Sequence, residues 1–355
     1  MCGIFGIVSP YLDEINPELI ARIKQSIHHR GPDHSDHHIE PGLVIGSNRL
    51  AIVDLEAGNQ PIYNNDRSLV IAYNGEIYNH LELRSELIAK GHVFYSRSDT
   101  ETVLHAFEEY GSACVKRLNG MFAFAIWNSR DKSLFLARDR LGIKPLYISR
   151  LDSGLVFASE AKAILPLFPS NPQPDWSVLN QFFSYGYIPS PASAYAGINK
   201  LSPSHYAWFR NGEFDSTRYW SPEYGLGESK TLEEDCEKLL SLIDQSVNLE
   251  LMGDVPVGVF LSGGLDSSAV ALFAKKNSKS NVKSFSLKFE ETTHDESADA
   301  RLVSDHLKLE HHECLLTTEL LLEALPKVVR NLDEPFGDST VLPLFVLSEF
   351  ARKNV

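Results

Sequence analysis

The sequence predicts two domains of different class: an α+β domain built on antiparallel sheets, then an α/β domain built on a parallel, doubly wound sheet. Three observations carry this. The 355 residues, 43% apolar and 23% charged, suffice for two cores. Short apolar runs dominate the first half with too few helices to follow every strand, whereas strand and helix patterns alternate from residue 254 onward. The charge balance also changes: residues 1–206 carry 18 basic and 21 acidic side chains, and residues 207–355 carry 15 and 26. The domains are therefore drawn at 1–206 and 231–355, with 207–230 as a boundary segment.

Residues 2–9 read as a short apolar strand, and 17–27 as a helix with Leu19, Ile20, Ile23 and Ile27 on one side. The chain turns at RGPD (30–33). Strands are predicted at 42–55 and 68–78, separated by the turn QPIYNN, followed by helices at 80–90 and 100–110. The runs 121–128 and 133–140 pair across the polar turn SRDK, and 154–160 adds a strand. From 167 to 222 Pro, Ser and aromatic residues recur, which predicts ordered connecting structure. Trp127, Trp208 and Trp220 are assigned to cores or to the domain boundary. Helical periodicity covers 232–251, and the buried strand 254–261 runs into SGGLDSS and a helix. Strand 282–289, helix 296–307 and strand 311–316 continue the alternation. VLPLFVL (341–347) is too short to cross a bilayer and contains Pro343, so it reads as a buried element. The second domain offers fewer strands than nucleotide-binding α/β domains ordinarily have, which predicts that the chain is a piece of a longer polypeptide.

The 33 basic and 47 acidic side chains leave a net charge of −14, which argues against a non-specific grip on nucleic acid. No apolar window approaches the roughly 20 residues a transmembrane helix needs, and the N-terminus lacks the basic region of a signal peptide. The four cysteines, at 2, 114, 236 and 314, show no CxxC spacing. Together these predict a cytoplasmic protein with neither membrane nor nucleic acid as a partner.

Cys2 follows a removable methionine, and loss of Met1 would place a thiol and a free α-amine on one residue, nucleophile beside base. A small buried cysteine in a first strand accounts for Cys2 alone equally well. Asn74 and Gly75, at a strand end, supply an amide side chain and a flexible backbone amide suited to a tetrahedral oxyanion. Arg49 could clamp a carboxylate and Asp99 an ammonium, so an amino-acid amide fits the set. Ser262-Gly263-Gly264-Leu265-Asp266-Ser267-Ser268 lies between a strand and a helix, where backbone N–H groups can surround phosphate oxygens. It lacks the lysine of a GxxxxGK[ST] loop, and Asp266 offers a carboxylate for Mg²⁺ on a leaving pyrophosphate. The five histidines of HHRGPDHSDHH (28–38) occupy a turn-like, wet segment with no cysteine nearby, and read as surface residues rather than a zinc site. The acidic runs at Asp295-Glu296 and LDEPFGDST (332–340) suit an active-site lining or solvated turns equally.

MCGIFGI, RGPD, RLAIVDL, NGEIYNH, SDTE, GMFAFAIW and RDRLGIKPLY resemble, as a group, the class II glutamine amidotransferase domain of glutamine-hydrolysing asparagine synthetases; VPVGVFLSGGLDSS, SFSLKF and LDEPFGDSTVLP resemble the ATP pyrophosphatase domain that follows it in that family. The resemblance spans essentially the whole chain. It implies a four-layer αββα N-terminal-nucleophile sandwich followed by a parallel-sheet ATP pyrophosphatase domain. It implies Cys2 as nucleophile, Asn74 and Gly75 as oxyanion hole, and glutamine held by Arg49, Glu76 and Asp99 with Leu50, Ala51, Ile52 and Val53 lining the pocket. In the second domain it implies Phe260 and Leu287 beside the adenylate, Ser262 to Ser268 on pyrophosphate, and Asp266 on Mg²⁺.

The implied cofactors are ATP and Mg²⁺, the implied substrates glutamine and aspartate, and the implied assembly a homodimer. The implied reaction releases ammonia at Cys2, passes it through the domain interface, and consumes it on an acyl-adenylate, yielding asparagine, glutamate, AMP and pyrophosphate. Another carboxylate, such as a sugar acid or natural-product precursor, is the alternative acceptor, and glutaminase activity alone the alternative activity. The sequence departs from the family at Lys288, where glycine is usual, and in lacking the SGEGGDE loop.

Overall fold

The computed structural model describes residues 2–10, 16–152, 154–170, 172–225, 231–290 and 295–355. It resolves into two units: the first holds Met1–Glu223 with Asp333–Gly337, the second Tyr224–Leu332 with Asp338–Val355. Met1 and residues 226–230 of the expected boundary segment lie outside the described residues.

In the first unit one antiparallel sheet contains β1 (Gly3–Val8), β2 (His34–Glu40), β3 (Leu43–Arg49), β8 (Tyr147–Leu151), β9 (Gly154–Ala158) and β10 (Ile198–Lys200), in the order β10-β8-β9-β1-β3-β2. The other contains β4 (Ile62–Tyr63), β5 (Leu69–Ile77), β6 (Gly120–Asn128), β7 (Ser133–Arg138), β11 (His205–Arg210) and β12 (Glu213–Arg218), in the order β12-β11-β7-β6-β5-β4. Helix α1 (Pro17–Ser26) starts at Asn16, whose side chain accepts from the Glu18 N–H, and buries Ile20 and Ile23 on the outer face of the first sheet with Phe5, Val44 and Val156. Helices α2 (His80–Ala89), α3 (Asp99–Tyr110) and α4 (Cys114–Arg117) cover the second sheet, where Leu83, Leu87, Val103 and Leu104 meet Ile71, Phe122 and Phe135. The sheets face each other through Ile4, Leu43, Ile45, Val70, Ala72, Ala123 and Leu136. This is the αββα layering of an N-terminal-nucleophile fold.

Three expectations change here. The strand at 42–55 ends at Arg49, because the following loop folds its carbonyls back onto the Arg49 side chain. The histidine-rich segment is not a wet turn: residues 34–40 form β2, paired residue for residue with β3 from His34–Arg49 to Glu40–Leu43. The first unit also runs past 206. Residues 167–222 contain α5 (Trp176–Tyr185) and β10 to β12, and β11 is hydrogen-bonded to β7, so the charge shift near 207 falls within a sheet.

The second unit has a parallel sheet ordered β13 (Gly258–Phe260), β14 (Lys283–Phe289) and β15 (Glu310–Leu316). Helix α6 (Leu232–Glu250) opens on a reciprocal capping box between Thr231 and Glu234. Helices α7 (Leu265–Asn277) and α8 (Ser297–Leu307) follow β13 and β14, and α9 (Thr318–Asn331) and α10 (Val341–Arg352) complete the unit. VLPLFVL is thus the start of a helix, with Val346 and Leu347 buried.

Candidate functional site

Strand period brings the predicted glutaminase residues to one end of the sandwich. On β1 the series Ile4 and Val8 faces the opposing sheet, and Cys2 continues it; on β3 the series is Leu43, Ile45, Ser47 and Arg49; on β5 it is Val70, Ala72 and Asn74. Gly3 pairs with Asn48, so the same register sets Cys2 opposite Arg49. Gly75 must lack a side chain, because a Cβ there would stand 2.3 Å from the carbonyl oxygen of Met121 on β6.

These residues share one cavity with Leu50, Ile52, Val53, Glu76 and Asp99. Ala51 does not line it: its N–H is turned to Asp33 Oδ2 at 2.9 Å. The cavity also includes Gln60, Tyr73, Ser98, Thr100 and Lys144, which sequence reasoning missed. The Cys2 thiol donates to the Leu50 carbonyl at 3.8 Å, and burial pushes it above the ordinary thiol range. Asn74 is fully buried, yet neither atom of its amide has a hydrogen-bond partner. Two donors and an acceptor are thereby held beside the thiol for a ligand.

Arg49 places four hydrogen bonds on the loop after β3: to the carbonyls of Val53 (2.9 Å), Asp54 (2.7 Å) and Leu55 (3.5 Å) and to Asn59 Oδ1 (2.8 Å). Gly58 makes room for this, since a Cβ there would lie 2.5 Å from the guanidinium. Burial raises the Asp99 carboxyl, against hydrogen bonds from the Tyr73 hydroxyl (2.8 Å) and the Ile77 N–H (3.1 Å) that favour its anion. Asp99 also stands in the first turn of α3, capped by Ser98, where the helix favours negative charge. Gln60 braces Tyr73 by accepting its N–H at 2.7 Å.

Behind the cavity, Arg30 donates from Nε to the Cys2 carbonyl (3.0 Å) and from its guanidinium to Glu160 (2.7 Å), which also meets His29 (3.1 Å). Gly31 lets this turn approach β3, because a Cβ would sit 2.2 Å from the Asn48 carbonyl oxygen. Asp139 accepts four backbone N–H groups, those of Phe122 (3.2 Å), Leu141 (3.1 Å), Ile143 (2.9 Å) and Lys144 (3.0 Å), while Arg138 donates to the carbonyls of Gly142, Lys144 and Leu201. RDRLGIK is therefore a self-bonded loop that delivers Lys144 to the cavity, where burial lowers its ammonium pKa. The segment Asp333–Gly337 belongs to the same unit; its Glu334 pairs with Lys200 at 2.5 Å, and burial raises the Asp333 carboxyl to about 6.

In the second unit a 460 Å³ cavity is lined by Phe260, Ser262, Ser267 and Leu287 from the predicted set, with Phe285, Ser286, Phe289 and Glu296 in addition. Gly263 and Gly264, in the adjoining loop, and Leu265, Asp266 and Ser268, in the first turn of α7, do not line that cavity, and Leu265 is 90% exposed. Gly263 adopts φ +83°, and a Cβ would stand 2.6 Å from Asp299 Cβ, so residue 263 requires glycine. Ser262 and Ser267 cross the loop by a 3.0 Å hydroxyl contact. Helix α7 opens at Gly264 with no side-chain cap, leaving its first-turn N–H groups beside the exposed carboxylate of Asp266.

Residues 1–220 match the family model described as glutamine amidotransferase domain, and residues 238–355 that described as asparagine synthase. The chain is 35% identical over 363 residues to asparagine synthetase 1 (glutamine-hydrolyzing) of Bacillus subtilis, covering 100% of this chain and 56% of that protein. It is 36% identical over 381 residues to putative asparagine synthetase 2 (glutamine-hydrolyzing) of Methanocaldococcus jannaschii, covering 100% and 72%. Among solved structures, the glutamine phosphoribosylpyrophosphate amidotransferase of B. subtilis aligns over 88% of this chain and 81% of its own, at 16% identity and a TM-score of 0.46. The chain spans little more than half the length of the Bacillus relative. With a glutamine amidotransferase domain followed by an asparagine synthase domain, the chain belongs to the asparagine synthetase family.

Proposed function

We propose that the chain hydrolyses glutamine at Cys2 and supplies the ammonia to an aspartyl-adenylate made from ATP, giving asparagine, glutamate, AMP and pyrophosphate. The observation that carries the reading is the unpartnered Asn74 amide buried in one cavity with Cys2, Arg49 and Asp99. Because burial keeps the Cys2 thiol protonated, attack needs a proton acceptor, and the α-amine freed by loss of Met1 is the group attached to the same residue. The sulfur adds to the glutamine side-chain carbonyl, the oxyanion is received by Asn74 Nδ2 and Gly75 N–H, and ammonia leaves with the transferred proton. Water then opens the thioester to glutamate. Arg49 holds the substrate α-carboxylate and Asp99, with Glu76, its ammonium, whose charge keeps Asp99 ionised against its burial.

For the second unit we assign the adenine to the cavity beside Phe260 and Leu287, and the phosphates to Ser262–Ser268 at the uncapped start of α7. One exposed carboxylate beside free backbone donors suits Mg²⁺, which takes few protein ligands when phosphate oxygens complete its shell; Asp266 is the residue that would hold it. When bound, the ion would offset charge on the departing pyrophosphate. The described residues contain no helix long and apolar enough to cross a membrane. Four free thiols support a cytoplasmic setting, and a homodimer is the assembly we propose.

Intact-mass measurement of active protein should show loss of Met1, and C2A should abolish glutamate release while retaining the fold. Glutamate release by C2A at the parent rate would overturn the assignment.

A further inference from the structure

Away from the glutamine cavity, His92, His105 and Glu108 form a cluster in which one nitrogen or oxygen from each lies within 4.8 Å of the other two; it is the sole group of this kind among the described residues. His92 lies in the loop between α2 and α3, and His105 and Glu108 are one turn apart on α3. His105 is fully buried and His92 partly buried, whereas Glu108 reaches solvent. Both imidazoles present Nδ1 to the same carboxylate oxygen: Glu108 Oε2 is 2.9 Å from His105 Nδ1 and 3.5 Å from His92 Nδ1.

The outward nitrogens are equally particular. His92 Nε2 meets Glu109 Oε2 at 3.1 Å, and His105 Nε2 faces Glu101 Oε1 at 3.6 Å without another partner. Glu101 is itself fixed by the N–H groups of Tyr95 (2.9 Å) and Ser96 (2.8 Å), and the second oxygen of Glu108 is held by Asn64 Nδ2 at 2.8 Å. Glu109 at 3.1 Å on His92 Nε2 selects the tautomer protonated there and leaves its Nδ1 lone pair facing Glu108. His105 Nδ1 shares a proton with Glu108 at 2.9 Å; an ion at that point would displace this proton, and Nε2, which faces Glu101, would carry the remaining one. Ligand atoms around a tetrahedral zinc ion stand about 3.3 Å apart, and the two Glu108 separations bracket that spacing.

The geometry points to a metal site: His92 Nδ1, His105 Nδ1 and Glu108 Oε2 bind one divalent transition ion, with Zn²⁺ the best fit and water in the fourth position. Two imidazoles favour zinc, cobalt or nickel over magnesium or calcium. The ion ties the 91–98 loop to α3, the helix that begins with Asp99. The histidines that crowd the sequence at 28–38 have no part in it.

The test uses the full chain, stripped with chelator, kept reduced with a phosphine, and titrated with Co²⁺ and then with Zn²⁺ in competition. One equivalent of Co²⁺ should bind with visible d–d bands and no intense thiolate charge-transfer band, and one equivalent of Zn²⁺ should displace it and raise Tm. H92Q and E108Q, each checked for native circular dichroism, should lose at least tenfold in affinity. E109Q, which removes only an outer carboxylate, should lose about tenfold. No retained ion, unchanged affinity in H92Q and E108Q, or a thiolate-to-cobalt band showing that cysteine holds the ion would each overturn the assignment.

Discussion

Arg30 joins the Cys2 carbonyl, 3.0 Å from its Nε, to the buried carboxylate of Glu160, 2.7 Å from its guanidinium. The proposed nucleophile is thereby anchored through its backbone to a residue 158 positions away. Burial alone would raise the Glu160 carboxyl, but the His29 hydrogen bond and the Arg30 charge outweigh it and hold the pKa at about 2. A folded pKa below the unfolded one stabilises the fold above about pH 4.5, and that contribution is lost as pH falls toward 2. E160Q should therefore cost about 3 kcal/mol at pH 7 and much less near pH 2. Urea unfolding of both proteins across that range checks this, and equal stability at pH 7 would contradict it.

Asn74 separates function from stability. Its amide has no partner to lose, so N74A should stay within about 1 kcal/mol of the parent in unfolding free energy. Loss of an oxyanion donor should lower kcat for glutamine hydrolysis on the order of a hundredfold with KM nearly unchanged. A raised KM with normal kcat would reassign the residue to ground-state binding.

Asp139 makes the opposite prediction. Its carboxylate satisfies four backbone N–H groups around the loop that carries Lys144. D139N places an amide donor where two of those donors already point, and should destabilise the protein by about 3 kcal/mol. Thermal unfolding would show this directly, and a Tm unchanged from the parent would contradict it.

How much of this was legible depended on the range of the interaction. Helix α1 and strand β5 could be read because their own residues repeat with the right period: Ile20, Ile23 and Ile27 in one, Leu69, Ile71 and Tyr73 in the other. Strand β2 could not, because HSDHHIE has no apolar alternation and is recruited at the sheet edge by the backbone of β3. Cys2, Arg49 and Asn74 stood out by residue type beside glycines and strand ends. Glu160, Gln60 and Lys144 did not, since each acquires its role from groups supplied by other segments of the chain. The zinc question shows the same limit: of five histidines close in sequence, two lie in a turn and three along an edge strand, whereas His92 and His105, 13 residues apart, converge through the α2–α3 connection.

Asp266 and Gly263 test the nucleotide half separately from the thiol. Gly263 lies in the loop between β13 and α7 and Asp266 in the first turn of α7, both in the second unit, so substitutions there should leave basal glutamine hydrolysis unchanged. G263A forces a side chain into φ +83° and against Asp299, at a cost of about 1–3 kcal/mol to the loop conformation. It should weaken ATP binding whether or not Mg²⁺ is present. D266N nearly preserves shape and removes one charge, so it should act through the ion: without Mg²⁺, ATP should bind as well as to the parent or better, because a carboxylate repelling phosphate is gone, while the gain in affinity that Mg²⁺ brings should fall at least tenfold. Titration with a fluorescent ATP analogue, with Mg²⁺ and with chelator, distinguishes the two variants. A D266N protein whose Mg²⁺ enhancement matches the parent would remove Asp266 from the metal assignment, and one that lost glutamine hydrolysis while folded would break the proposed division of chemistry between the units.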